Sequence, residues 1–233
     1  MRVLRTLLFC AMCCVCAQAG DISYVTPVGS TVTGGPVDAV VGFSTSTGMS
    51  AGTISISLVN LEGNPRDVGQ LLSGLSFTLG NGSLSGSSLT SSVGFEKTVN
   101  SDGSSTQGPT VSTGWGFKTS GTTIATLEVL GTSTAPTHLI IAGPGSTGYS
   151  NANGSIAGNK AHNPFLFNSA TFVITGPDIS PTTISSVFFS FGTTPGHTIR
   201  GFSIPEPSAE LMLGLGTLGL MGLATASRKL ISA

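Results

Sequence analysis

Thr53-Ile54-Ser55-Ile56-Ser57-Leu58 and Thr122-Thr123-Ile124-Ala125-Thr126-Leu127-Glu128-Val129-Leu130 decide the fold class. In the first stretch Ile54, Ile56 and Leu58 alternate with Thr53, Ser55 and Ser57; in the second, Ala125, Leu127 and Val129 share one face, with Thr126 and Glu128 opposite. A period of two is the spacing at which side chains return to the same face of a strand, and a wet face opposite a dry one suits an antiparallel sheet. Working outward, Leu71 to Leu79, His138 to Ala142, Phe165 to Ile174 and Thr182 to Phe191 read as further strands. In the last of these, Val187, Phe189 and Phe191 fall on one face and Phe188 on the other.

Gly80-Asn81-Gly82, Asp102-Gly103, Gly143-Pro144-Gly145 and Gly176-Pro177 separate the runs, each able to form a tight turn. Short strands with frequent turns predict one all-β domain from Gly20 to Ser203. The expected form is a single antiparallel β-sandwich, jelly-roll or Ig-like in style, of roughly eight to ten strands. Ser101 to Ser105 reads as a mobile loop.

Charged residues make up only 8% of the 233-residue chain, against a usual share of about 25%. Glycine fills 33 positions. Between Gly20 and Ser203 eight acidic and five basic residues leave a net charge of −3, which lacks the basic footprint of a nucleic-acid binder. All four cysteines, Cys10, Cys13, Cys14 and Cys16, lie in the N-terminal apolar stretch. The domain from Gly20 to Ser203 therefore has no thiol for a disulfide or a thiolate metal site.

The two ends read as addresses. Arg2 and Arg5 precede an apolar core from Thr6 to Val15, and Ala17-Gln18-Ala19 forms a small-x-small site, so signal peptidase is expected to cut between Ala19 and Gly20, leaving residues 1–19 as signal peptide. At the far end, 204–229 forms a three-part segment: Pro205-Glu206-Pro207, an apolar stretch 211–226, and the basic pair Arg228-Lys229. As a transmembrane helix the apolar stretch would reach about 24 Å, short of the roughly 30 Å hydrocarbon layer, so it would span with flanking help. Arg228 and Lys229 would stay cytoplasmic, leaving the domain on the outside. Prolines at 205 and 207 keep the motif extended between domain and membrane.

This combination of motif, glycine-spaced apolar helix and terminal basic cluster resembles the PEP-CTERM sorting domain of Gram-negative bacteria. The resemblance covers about the last thirty residues, and Leu230 to Ala233 depart from it by trailing the basic cluster. It implies recognition by an exosortase, processing near Pro205-Glu206-Pro207, transient anchoring in the inner membrane, and delivery to the cell surface or an exopolysaccharide matrix.

The search for chemistry yields less. His138, His162 and His197 lie far apart without paired local ligands, and the eight acids of the domain are scattered singly, so no glycosidase pair can be nominated. His162, beside a Gly/Asn-rich loop, is the most suggestive of the three. Gly48-Met49-Ser50-Ala51-Gly52 matches a nucleophile elbow in letters, but an elbow needs a helix after it and a strand pattern follows. Asn81-Gly82-Ser83 and Asn153-Gly154-Ser155 read as turns. Trp115 and Tyr149 would form a sugar-stacking platform if both lay on one exposed surface.

The expected function is a non-enzymatic exported surface or matrix protein without metal or cofactor. Its partners are signal peptidase and the export machinery, an exosortase, the membrane before processing, and polysaccharide. A carbohydrate-binding module is the alternative, and a hydrolase assembled from His162 with Asp178 or Glu128 is the third reading.

Overall fold

The period-two segments become strands. The computed structural model describes residues 22–47, 51–130, 137–152, 154–179 and 183–204. Fifteen strands follow in order: β1 (Ile22–Val25), β2 (Thr31–Val32), β3 (Gly35–Pro36), β4 (Ala39–Thr47), β5 (Gly52–Asn60), β6 (Leu72–Leu79), β7 (Ser88–Val99), β8 (Ser105–Ser112), β9 (Gly116–Ser120), β10 (Ile124–Glu128), β11 (Ile140–Ile141), β12 (Phe165–Gly176), β13 (Ile184–Phe191), β14 (Thr198–Arg200) and β15 (Phe202–Ile204). A single 3-10 turn spans Val68–Gln70, and no α-helix occurs among the described residues.

Thirteen strands are linked by hydrogen bonds in the order β14-β13-β6-β11-β12-β5-β4-β1-β15, with β10 and β9 branching from β6, and β7 and β8 from β12; β2 and β3 form a separate ribbon. The branches resolve this path into two layers. Strand β6 pairs β13 and takes β10 along Gly74–Thr78, but meets β11 only at Leu72. Strand β12 pairs β7, takes β5 along Ser169–Gly176, and meets β11 at Leu166 and Phe167. The two-residue β11 is thus the corner between a smaller layer (β14-β13-β6-β10-β9) and a larger one (β8-β7-β12-β5-β4-β1-β15). Asn60, buried at the end of β5, pins this corner by donating to the carbonyls of Ile140 (2.9 Å) and Gln70 (3.1 Å).

The dry faces meet between the layers. Ala39, Val41 and Phe43 of β4, Ile54, Ile56 and Leu58 of β5, and Ala170, Phe172 and Ile174 of β12 lie opposite Leu75, Phe77 and Leu79 of β6 and Ala125 and Leu127 of β10, all of them buried. Phe43 and Phe77 touch across the gap with ring centroids 4.9 Å apart, and the Tyr24 hydroxyl donates to the carbonyl of Ile184. Burial of such side chains stabilises the fold by about 1.5–3 kcal/mol each.

The all-β, sandwich-like expectation therefore holds, with two corrections. The system is mixed: β11 and β12 run parallel, because the connection 142–164 is long enough to bring the chain back in the same direction. The strands also outnumber the eight to ten expected. Strands β2 and β3 are two residues long, and β8 carries no fully buried residue, so none of them leaves an alternating signature; β11, within the expected His138 to Ala142, is only two residues long.

In β13 the expected split is present, with Val187, Phe189 and Phe191 buried and Phe188 38% exposed. Ile184 is buried as well, because a bulge at Ser186 (φ 48°) shifts the alternation by one. The segment 101–104 is a turn joining β7 to β8, held by Asp102, whose carboxylate accepts from the Ser104 hydroxyl (2.6 Å) and amide (2.9 Å). These bonds hold the Asp102 carboxyl below its ordinary value.

Candidate functional site

The structure moves both residues of the expected sugar platform inside. Trp115 is 4% exposed and Tyr149 3%. Trp115, immediately before β9, lies inside: its ring packs against Phe172 (5.1 Å between centroids), its indole Nε1 donates to the carbonyl of His138 (2.7 Å), and its amide donates to Thr113 Oγ1 (3.1 Å). Tyr149, in the long β11–β12 connection, donates its hydroxyl to the carbonyl of Ala142 (2.8 Å), and burial pushes its phenol well above the ordinary value. Large aromatics gain most by leaving water while their polar atom keeps a partner. Neither ring can stack on an external sugar.

The histidines do not converge. His138 is buried, and its Nδ1 lies 2.6 Å from the carbonyl of Pro164. A carbonyl only accepts, so Nδ1 carries a proton there, and Nε2 is buried with no hydrogen-bond partner among the described residues. His162 Nδ1 sits 3.2 Å from the Thr137 hydroxyl, and His197 offers its backbone carbonyl to the amide of Phe191.

The carboxylates serve the scaffold. Asp67 caps the 3-10 turn through the amide of Gly69 (2.7 Å) and accepts from Ser155 (2.8 Å), while Glu128 pairs with Lys118 at 2.6 Å. Among the described residues no group of three His, Cys, Asp or Glu gathers as a metal site would require. The segment after the Ser50 motif is β5, a strand, so the helix that an elbow needs is not there. Ser50 and Asn153 themselves lie outside the described residues, as do Ala17, Ala19, Gly20, Pro205, Glu206, Pro207, the expected helix 211–226, Arg228 and Lys229. Among the described residues no helix is long and apolar enough to cross a membrane.

The feature that sequence reading passed over lies on the outside of the larger layer. Where β1, β4, β5 and β12 run side by side, their outward residues are almost all small: Ser23, Gly42, Ser44, Ser55, Ser57 and Thr171, with Val173 beside them. Cross-strand register aligns them in two rows. One runs Ser23, Gly42, Ser57, Thr171 and continues to Val93 of β7; the next runs Ser44, Ser55, Val173.

Between these short side chains lies an open depression of about 440 Å³ with no charged residue in its lining. Its floor includes Phe43, Ile56 and Phe172, whose side chains are buried on the core side. A smaller hollow of about 250 Å³ lies beside Glu62, Asn64 and Arg66. There burial, and secondarily Asp38, raise the Glu62 carboxyl above its ordinary value.

The Ser/Thr alternation of β5 was legible as a wet face, whereas β4 was not read as a strand and the face of β12 was not assigned. That three such faces adjoin was not legible, since pairing order is a tertiary fact. The compact β unit carrying this face ends at Ser203. No protein-family model matches the chain, and no curated protein matches it in sequence.

Proposed function

We propose that the chain is a non-enzymatic exported protein of a Gram-negative bacterium, with a jelly-roll-style sandwich as cargo. A signal peptide sends it across the inner membrane, and its C-terminal PEP-CTERM-like segment holds it there until an exosortase processes it near Pro205-Glu206-Pro207. It then resides at the cell surface or in the exopolysaccharide matrix. One observation carries the reading: the compact β unit ends at Ser203, immediately before the motif, so a finished domain and its address adjoin. The charge-poor, hydroxyl-rich composition suits an extracellular setting, where solubility rests mostly on neutral polar groups.

The test is intact mass and cell fractionation in the host. A species from Gly20 to the vicinity of Pro205–Ser208, found in the outer surface or medium, supports sorting. A species retaining Leu211 to Ala233 in the inner membrane refutes it in favour of a plain anchor.

A further inference from the structure

We propose that the depression across β1, β4, β5 and β12 is a binding trough for a neutral polyhydroxylated polymer, a polysaccharide chain laid across the strands. The argument begins with Gly42. Glycine weakens a strand interior, and where it occurs a close approach of backbone or ligand is the usual reason. Most strand glycines here answer to the fold itself. A Cβ on Gly52 would collide with the carbonyl of Ile179, one on Gly176 would come within 2.7 Å of Ser87, and ones on Gly74 and Gly94 would come within 3.1 Å of their neighbours. Gly42 is different: its backbone is ordinary for a strand, and an added Cβ would meet only Ser23 Oγ at 3.8 Å, a normal contact. Packing does not require glycine at this position. What glycine does there is keep the floor of the trough open.

The hydroxyls give the second observation. Farther along the same face they satisfy one another: Ser46 bonds Thr53 (2.6 Å) and Thr90 bonds Thr175 (3.1 Å). Those of Ser23, Ser44, Ser55, Ser57 and Thr171 bond to no other described residue, so five donor-acceptors face outward together. Neighbouring strands set Ser57 and Thr171, and Ser44 and Ser55, about 4.8 Å apart, close to the advance of one sugar ring along an extended chain, while Ser23 stands two strands from Ser57 across Gly42. Hydroxyls that both donate and accept, with the apolar Val173 among them, match the alternating polar rim and C–H faces of a sugar. With no charge in the lining, the trough gives a polyanion nothing to pair with.

Size argues against the other obvious occupant, a second copy of this chain. Four strands wide, about 19 Å, and one two-residue step long, about 7 Å, the trough covers on the order of 130 Å², well under the roughly 800 Å² per partner of a stable protein interface. The proposal identifies the partner of the cargo domain and so rests on the exported reading for its biological setting, but binding and tail processing are measured separately and can fail separately.

The experiment is affinity gel electrophoresis of the full chain in dextran, mannan and hydroxyethylcellulose, with alginate as the charged contrast. At least one neutral polymer should retard the protein. Gly42→Val should weaken that binding at least tenfold while leaving Tm unchanged or raised, since a β-branched residue suits the strand. The paired change Ser55→Ala with Ser57→Ala, which leaves the trough open, should weaken it several-fold and guards against a folding artefact. The proposal is overturned if no neutral polymer retards the chain, if alginate alone does, or if Gly42→Val binds as the parent does. It is equally overturned if sedimentation shows self-association that Gly42→Val abolishes, which would make the occupant a second copy.

Discussion

Phe43 on β4 and Phe77 on β6 are 1% and 0% exposed, and their rings meet edge-on at 62° with centroids 4.9 Å apart. Because β4 belongs to the larger layer and β6 to the smaller, this contact exists only if the two layers face each other as described. Replacing either residue by leucine keeps an apolar side chain but removes the ring edge, a change that costs about 1–1.5 kcal/mol in a core that repacks. The direct aromatic contact adds about 0.5–1.5 kcal/mol beyond area burial. In a double-mutant cycle of Phe43→Leu and Phe77→Leu, followed by urea unfolding, each single change should lower Tm by about 2–6 °C for a domain of this size. The pair should then cost less than the sum of the singles by that coupling. Additivity within about 0.3–0.5 kcal/mol is what separated, independent sites give, and it would refute the facing of β4 on β6.

Two further outcomes follow from the burial of Trp115 and the partial burial of Glu62. Trp115, the only tryptophan, should emit at short wavelength and resist iodide quenching until the domain unfolds; Trp115→Phe, which strips the His138 carbonyl of its indole donor, should cost about 1–3 kcal/mol in urea unfolding, and ready quenching in the native state would contradict its burial. Glu62 has a folded pKa above its unfolded value, so its penalty is absent below the unfolded value of about 4.3 and sets in as pH rises through the folded one. Glu62→Gln should therefore stabilise the protein at pH 7, by less than about 1 kcal/mol because the site is largely solvated, and by nothing near pH 4; destabilisation at neutral pH would show that the carboxylate has a partner it needs.

Some of the fold was legible because it is local. The alternations at Thr53–Leu58, Phe165–Ile174 and Thr182–Phe191 became β5, β12 and β13, and the Asp102-Gly103 pair became the β7–β8 turn, with Gly103 at φ +85°. Strand β7 was missed because it shows no regular alternation, with only Gly94 and Val99 fully buried along twelve residues. Whether Trp115 and Tyr149 face out or in was not decided by the sequence, for a related reason. A large aromatic next to glycine reads alike in an exposed loop and in a layer gap, and what separates the two is whether another chain segment supplies a carbonyl to its polar atom. Here His138 and Ala142 do so.

By itself the sequence determined that the domain is all-β, free of cysteine and low in charge, because composition and period-two patterning act through each strand's own backbone geometry. The tertiary structure decided everything that depends on which strands adjoin. It placed the parallel β11–β12 corner, took the aromatics into the core, and aligned Ser23, Gly42, Ser57 and Thr171 into one row. Cross-strand register is set by contacts between separate segments, as far apart in sequence as Ser57 and Thr171, and no local pattern carries that information.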